Sequence, residues 1–193
     1  MKTTILPALR MLLVMTVFTG IIYPVAMTLL LLAVFPYQAK GSMIEKNGAI
    51  IGSELIGQGF TSDKYFHSRP SAIDYNPAPS CGTNWGPTDK RMRDSANART
   101  AQFKLQNNLS AAMIVPKDML FASASGVDPH ISPDAARLQI ERIAKVRGFT
   151  AEQTSSLKKL VEDYTQGPQL KLFGDPRVNV LKLNLALDEM HSK

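Results

Sequence analysis

The strongest constraint on this chain is a stretch of 29 residues between Arg10 and Lys40 that carries no charged side chain. Leu, Val, Ile, Met and Phe dominate this stretch. A helix rises about 1.5 Å per residue, so residues 12–35 would span roughly 36 Å, enough to cross a hydrocarbon core of about 30 Å. The pattern therefore predicts a short tail at residues 1–10 and one transmembrane helix at residues 11–35.

A cleavable secretory signal is the main alternative, because Lys2 and Arg10 form a basic region ahead of the apolar run. The run is longer than the apolar part of a typical signal, and residues 36–40 contain no small-x-small cleavage site. A buried helix of a soluble core accounts for such a long run less well. We therefore favour an anchor that stays in the membrane.

The charges that flank the apolar run are nearly balanced, with two basic residues before it and Lys40 and Lys46 after it. The tail is short, and Glu45 lies between the two exit-side lysines, which favours an amino end inside the cell. Residues 36–193 are then expected outside the inner (plasma) membrane, in the periplasm if the cell is Gram-negative.

A polar stripe runs along one face of the apolar helix, at steps of three and four residues: Thr16, Thr19, Gly20, Tyr23 and Met27. In lipid, small and hydroxylated side chains let a second helix approach closely and hydrogen-bond across the contact. Pro24 is expected to kink the helix beside this stripe. The stripe predicts a partner in the membrane, with a plain anchor as the alternative.

Residues 36–193 are expected to form a single soluble domain with mixed helices and strands, of the α+β class. The net charge of +6 over the whole chain is modest, so we expect no nucleic-acid partner. Cys81 is the single cysteine, which excludes an intrachain disulfide. His67, His130 and His191 are not spaced as metal ligands, and we expect no metal site.

Local signals place the first elements of this domain. Residues 43–51 predict a β-hairpin that turns at Asn47 and Gly48. Residues 57–87 are rich in Gly, Pro, Asn and Ser but interleaved with aromatic residues, which predicts a long, ordered loop that serves as a recognition surface. Residues 94–107 predict a helix rich in Ala, Arg and Gln.

A second helix is predicted from the cap at Ser132 and Pro133 to its end at Gly148. Its long polar side chains are expected on a solvated face: Gln139, Arg142 and Arg147. A capping box at residues 150 and 153 predicts a third helix, which ends by residue 167.

That third helix places four residues at helical spacing in the core: Leu157, Leu160, Val161 and Tyr164. The last segment, residues 176–190, is ambiguous between helix and strand. Asp175 and Pro176 resemble the cap and first residue of a helix, whereas alternating Val and Leu fit a strand. We favour the helix.

Catalytic and nucleotide-binding motifs are weak. The sequence has no GxxxxGK[ST] phosphate loop, and the glycines at 57 and 59 lack the third glycine of a dinucleotide fingerprint. Ser125, Asp128 and His130 lie within six residues, which leaves open a membrane-tethered periplasmic hydrolase that uses Ser125 and His130. Nearness in sequence is not the geometry of a triad, so this is the alternative reading.

Several short blocks share the order and spacing of one family: residues 41–42, 52–58, 65–72, 74–76, 80–87, 123–133 and 176–181. Through them nearly the whole chain resembles the C subunit of the Kdp-type ATP-driven potassium transporter. The chain departs from the family pattern at Cys81 and Trp85, where Gly and a smaller aliphatic residue are expected. These departures affect the contacts of that loop.

The resemblance implies a complex in which the A subunit conducts potassium, the B subunit is the ATP-hydrolysing P-type ATPase and a small F subunit stabilises the assembly. This chain lacks the Asp-Lys-Thr-Gly-Thr phosphorylation motif, so it is expected to be an accessory subunit and not an enzyme. The resemblance also implies that this chain is a catalytic chaperone that raises the ATP affinity of the B subunit. A Gln on the second helix, Gln139 here, is then the candidate contact to ATP shared with that subunit, and no tightly bound cofactor is expected.

A domain outside the membrane cannot touch ATP in the cytoplasm, so the predicted orientation and the implied contact at Gln139 conflict. An outside domain has another route. It can cap the potassium entrance or stabilise one transport state through contacts that differ between states. The affinity for ATP would then change through linkage, without direct contact.

Overall fold

The computed structural model describes residues 2–191, and the chain divides into two compact units after Ser53. The first unit holds the apolar helix and a hairpin. The second unit contains helices and a small antiparallel sheet. One apolar helix followed by a domain of helices and small sheets confirms the predicted α+β class.

The apolar segment is helical from end to end. It comprises α1 (Lys2–Val17), a π-helical turn (Phe18–Ile22) and α2 (Tyr23–Val34). Thr4–Val34 is long and apolar enough to cross a membrane, as the charge-free stretch predicts. The helix begins at Lys2, so the part of the tail from residue 2 onward is itself helical; the edges of the membrane segment stay a prediction.

The helix widens just before Pro24. The Tyr23 N–H donates to the Phe18 carbonyl, five residues back, instead of four. Proline has no N–H, and in an α-helix its ring clashes with the carbonyl four residues earlier, here that of Gly20. The wider turn gives that carbonyl room. Thr19, part of the predicted polar stripe, donates its hydroxyl to the Met15 carbonyl at 2.7 Å, so this group is already bonded within the helix.

A short helix, α3 (Pro36–Ala39), leads into strands β1 (Met43–Lys46) and β2 (Ala49–Ser53). The strands pair antiparallel around a turn in which Asn47 and Gly48 take φ of 54° and 77°. Asn and Gly tolerate positive φ best, which is why this dipeptide closes two-residue hairpins. The predicted hairpin is confirmed.

The second unit has four longer helices and three short strands among its described residues. In chain order these are α4 (Lys90–Gln106), a 3₁₀ turn (Lys117–Met119), β3 (His130–Ile131), α5 (Pro133–Arg147), α6 (Ala151–Asp163), β4 (Thr165–Gln166), β5 (Arg177–Asn179) and α7 (Val180–His191). The sheet is antiparallel with strand order β3-β5-β4, so the strand nearest the carboxyl end is central.

The helix boundaries follow from their caps. The Ser132 hydroxyl accepts the Ala135 N–H at 3.1 Å, and Gly148 ends α5 with φ of 66°. The capping box at the start of α6 is present in full. α4 begins earlier than predicted, because the Asp89 carboxylate caps it by accepting the Arg91 N–H at 2.8 Å.

The last segment is a strand followed by a helix. The helix that we favoured is present from Val180, but its predicted start at Asp175 and Pro176 is wrong. Residues 177–179 pair with both neighbouring strands, and the Asn179 carboxamide accepts the Lys182 N–H at 3.1 Å. Because residues 177–179 pair in the sheet, the helix begins only at Val180, and Asn179 caps it.

The core of the second unit lies between α5, α6 and α7 and includes Phe66 from the predicted ordered loop at residues 57–87. Leu157 and Val161 are fully buried and Leu160 packs against the core, as predicted. Tyr164 is 37% exposed, so its predicted burial is wrong. It follows the last residue of α6 and has left the helical face that the other three share.

Candidate interaction surface

The longest irregular segment of the described chain runs from Glu54 to Asp89, without a helix or strand. It contains the predicted ordered loop, residues 57–87, which we call the long loop. A loop of this length has many backbone groups that no ladder satisfies, so its path depends on other partners. Those partners are side chains from the helices and from the turn at residues 123–130, which we call the serine turn.

Two carboxamides pair with consecutive peptide groups of the long loop. Gln139 on α5 accepts the His67 N–H at 2.7 Å and donates back to the His67 carbonyl at 3.3 Å. Asn184 on α7 likewise accepts the Phe66 N–H at 2.8 Å and donates to the Phe66 carbonyl at 3.0 Å. Each side chain thus replaces a neighbouring strand. Gln139 and Phe66 are completely buried, so this pairing takes place away from water.

Arg142 extends the pairing along the loop. Its guanidinium donates to the backbone carbonyls of Asp63 and Tyr65, to the Gln139 carboxamide oxygen and to the Asn107 side chain. Its side chain is only 4% exposed, and burial lowers the pKa of the guanidinium from its usual value. An arginine keeps its charge even so, and several carbonyl dipoles face that charge here. Arg142 on α5 therefore binds the loop to α5 and to the end of α4.

A second group of polar side chains holds the loop at Tyr65. Its hydroxyl donates to Asp188 on α7 at 2.9 Å, and the same carboxylate accepts from Arg147 at 2.8 Å. Arg147 also donates to the Lys64 carbonyl at 2.8 Å and lies 5.2 Å from the centre of the Tyr65 ring. Burial, and then the bond to Asp188, raise the pKa of Tyr65, which remains a neutral donor at physiological pH.

A third set of contacts joins the long loop to the serine turn. We call these contacts of the long loop, made by Gln139, Asn184, Arg142, Arg147 and Asp128, the clamp. Arg69 donates to the Asp128 carboxylate at 2.7 Å, and the same carboxylate accepts the His130 backbone N–H at 3.0 Å. Burial alone would raise the pKa of Asp128, but the bonds from His130 and Arg69 outweigh it and hold the pKa at about 2. Asp128 is therefore ionised at any physiological pH.

Two glycines allow the loop and the turn to touch. The Gly57 N–H donates to the Val127 carbonyl at 2.7 Å, and a Cβ at Gly57 would lie 2.5 Å from the Asp128 carbonyl oxygen. Gly126 has φ of 74°, and a Cβ there would lie 2.5 Å from Ile73. Any side chain at either position would push the two segments apart.

The outer part of the long loop, residues 76–81, is exposed, in contrast to the clamped part. Cys81 is exposed, and Trp85 is half-buried beneath Arg91, whose guanidinium carbon lies 5.8 Å from the indole centre. These are the two positions that depart from the family pattern. The loop therefore has a buried inner edge that fixes its shape and an outer edge that faces solvent. The recognition role predicted for it stays a prediction.

Ser125, Asp128 and His130 are not arranged as a catalytic site. The Ser125 hydroxyl accepts the Val127 N–H at 3.2 Å, and no hydrogen bond joins it to His130 within the part of the chain described. Asp128 is bonded to Arg69 as well as to His130. A nucleophile needs its base within hydrogen-bonding reach, so this arrangement does not activate Ser125. No three His, Cys, Asp or Glu side chains between residues 2 and 191 are grouped to hold a metal ion.

Gln139 has both polar atoms of its carboxamide engaged, because its amide nitrogen also donates to the Ala135 carbonyl at 3.3 Å. In this conformation it has no polar atom free for ATP, and the implied nucleotide contact stays a prediction. Gln139, Arg142 and Arg147 were expected on a solvated face, which is wrong. Gln139 and Arg142 are buried against the loop, and the Arg147 side chain is only 7% exposed. A signal for their burial exists in the spacing, since Ala135, Gln139 and Arg142 fall at steps of four and three on one face.

Comparison with known proteins identifies relatives along the whole chain. Residues 5–189 match the family described as KdpC, the K⁺-transporting ATPase c chain. A potassium-transporting ATPase KdpC subunit of Bradyrhizobium diazoefficiens is 47% identical, with all of both chains covered. The subunit of the same name from Rhodopseudomonas palustris is 47% identical over 97% of this chain and 98% of that protein. The one from Mycobacterium tuberculosis is 44% identical over 98% and 100%.

Proposed function

Because this chain belongs to the KdpC family, the C chain of the K⁺-transporting ATPase, we propose that it is a non-catalytic subunit docking beside the potassium-conducting subunit. The one helix of residues 2–191 that is long and apolar enough to cross a membrane supports a place in the membrane, and membership of the family implies a complex with other Kdp subunits. The proposal adds the orientation: the amino end lies in the cytoplasm and the second unit outside the inner membrane. Catalysis belongs to the ATP-hydrolysing B subunit, and the small F subunit completes the assembly.

The clamped long loop is the observation that supports docking. Binding to a flexible loop loses free energy because the loop must be ordered, whereas a loop that is already rigid binds without that cost. Gln139, Arg142 and Asn184 hold the inner edge of this loop with buried hydrogen bonds. The outer edge is left free to meet a partner. The alternative hydrolase would instead need its nucleophile paired with its base, and no hydrogen bond joins Ser125 to His130 among residues 2–191.

The effect on ATP follows from linkage. A body that contacts the conducting subunit more strongly in one transport state shifts the population toward that state. If the B subunit binds ATP more tightly in the favoured state, the affinity for ATP rises in the whole complex without contact to the nucleotide. A direct contact of Gln139 with ATP shared with the B subunit is the alternative route, and it requires the loop to release the carboxamide.

The test compares purified complexes assembled with and without this chain. We expect loss of potassium-stimulated ATP hydrolysis, or a KM for ATP raised about tenfold, which corresponds to about 1.4 kcal/mol of coupling. Potassium-stimulated hydrolysis with an unchanged rate and KM in the complex that lacks the chain would contradict the proposal. The isolated chain serves as the control and is expected to hydrolyse neither ATP nor model esters, and Ser125→Ala to change nothing in either assay.

A further inference from the structure

Three strongly exposed apolar side chains of the second unit lie together on a small hairpin between β4 and β5. Leu170, Leu172 and Phe173 are 83%, 80% and 64% exposed, and Lys171 lies among them. We call residues 169–173 the apolar tip. Single exposed apolar residues are ordinary, but three within four positions form a patch of the kind that contacts a partner.

The backbone of the apolar tip is closed by hydrogen bonds and strained. Gln169 and Phe173 exchange backbone hydrogen bonds of 2.8 and 2.9 Å, and the Leu172 N–H donates to the Gln169 carbonyl at 3.1 Å. Leu170 and Lys171 both take positive φ, of 53° and 61°. Glycine and asparagine adopt this conformation at little cost, whereas leucine and lysine are disfavoured in it. The side chains of this turn are exposed, and strained backbone of this kind is found at functional sites.

We propose that the apolar tip is an anchor that inserts into an apolar pocket on another subunit of the same potassium-transporting ATPase. This inference rests on the proposed function, because it takes the neighbouring subunits of the complex as the partner. Apolar side chains that fill a pocket at the centre of an interface carry a large share of the binding energy. The tip supplies such side chains on a preorganised turn.

A protein pocket suits the tip better than lipid or a second copy of the chain. A fluid bilayer does not select one backbone conformation, and the tip carries only one basic residue, Lys171, where binding to anionic lipid surfaces takes several. Three side chains also cover much less than the roughly 800 Å² per partner of a stable dimer. A contact this small becomes effective when a membrane anchor already confines both partners, since confinement raises their effective concentration.

The experiment places a photo-crosslinking amino acid at position 172 of the full chain, expressed with the other subunits of the transporter. We expect a crosslink to another subunit of the transporter. A crosslink to lipid, a crosslink to a second copy of this chain, or no crosslink in a complex that contains the chain would each overturn the inference.

A matched pair of variants measures the strength of the contact. Replacing Leu170, Leu172 and Phe173 together by Ser is expected to lower the amount of chain retained in the purified complex about tenfold or more. The control, Leu105→Ser with Ile114→Ser, removes two side chains that are 83% and 86% exposed elsewhere, and it is expected to be retained like the natural chain. Equal retention of both variants would overturn the inference.

Two further comparisons separate the possible causes of a loss. Lys171→Gly relieves the strain but keeps the apolar side chains, so it is expected to be retained; its loss would contradict insertion of those side chains. The unfolding midpoint of the triple Ser variant is expected to match that of the natural chain, because the replaced groups are exposed. If the natural chain fails to join the complex, the proposed function is wrong. If the natural chain joins the complex and the triple Ser variant is retained equally well, only the inference about the apolar tip is wrong.

Discussion

Gln139 and Asn184 act on the backbone of the long loop rather than on other side chains. A carboxamide presents one donor and one acceptor side by side, as a peptide group does, so it can replace a missing strand. Phe66 is thereby held fully buried in the core although its neighbours belong to no strand. The consequence is that single polar residues on α5 and α7 decide whether the loop has one conformation.

Gln139→Leu tests this role. The change leaves the His67 N–H and carbonyl without partners in a buried site and removes one acceptor from Arg142, so we expect a loss of about 2–4 kcal/mol in the free energy of unfolding. Urea unfolding of the full chain in detergent micelles, followed by circular dichroism, measures it. The matched control is Gln106→Leu on an exposed part of α4, expected to stay within about 0.5 kcal/mol. Unchanged stability of Gln139→Leu with a raised KM for ATP would favour a nucleotide contact instead.

Because the pKa of Asp128 is lowered, we expect the free energy of unfolding to fall at acidic pH. Its pKa is about 2 in the folded protein and 3.8 without the protein environment. A lowered pKa gives stability that is fully present above the unfolded value and is lost as the pH falls through the folded value. The difference in unfolding free energy between the natural chain and Asp128→Asn is therefore expected to shrink between about pH 4 and pH 2. A difference that is constant from pH 6 to pH 2, in the same unfolding assay, would contradict this.

At the scale of elements, the clamp depends on how closely the long loop approaches the serine turn. Their contact is a backbone hydrogen bond at Gly57 with no space for a side chain. The same loop contains Gly86, where a Cβ would meet nothing within 4 Å. The two glycines therefore form a natural comparison within one segment.

Gly57→Ala is expected to destabilise the second unit by about 1–3 kcal/mol, because the new methyl group overlaps the Asp128 carbonyl. It is also expected to speed proteolytic cleavage within the long loop, since the loop must move away from the turn. Gly86→Ala should leave both the thermal midpoint and the cleavage rate unchanged. Equal behaviour of the two variants would show that the approach at Gly57 does not hold the loop.

The elements that the sequence predicts well are those with local signals. Caps at Ser132 and Thr150 place α5 and α6, and Asn47 with Gly48 places the hairpin, because these side chains bond to their own neighbours in sequence. The start of α7 was missed because residues 177–179 pair with strands far away in sequence. Long-range pairing leaves no short pattern from which to predict it.

The site was predicted only in outline. Aromatic residues among the glycines and prolines correctly indicate an ordered long loop, since disordered segments bury nothing. The helix face that receives the loop was assigned to solvent, because Gln139 and Arg142 are polar and their partners lie more than 70 residues earlier. Nothing local reveals that a polar side chain will meet a distant backbone.

At the scale of the whole molecule, two features belong together: one helix able to cross a membrane and a body with a rigid loop edge. Membership of the KdpC family places both in a potassium-transporting ATPase. We predict that the second unit lies outside the cell membrane and that the outer edge of the long loop meets a neighbouring subunit. Both predictions can be tested at the outer edge of the long loop, because it carries Cys81, the single cysteine of the chain.

The most direct test is therefore the rate at which a membrane-impermeant maleimide labels Cys81 in right-side-out vesicles, read on this chain alone, with Cys81→Ser as the control for specificity. We predict labelling from outside when the chain is expressed by itself, and labelling slowed at least several-fold when the other subunits of the transporter are present. Labelling only after the membrane is permeabilised would contradict the proposed orientation, and a rate that the other subunits leave unchanged would contradict docking through the outer edge of the long loop.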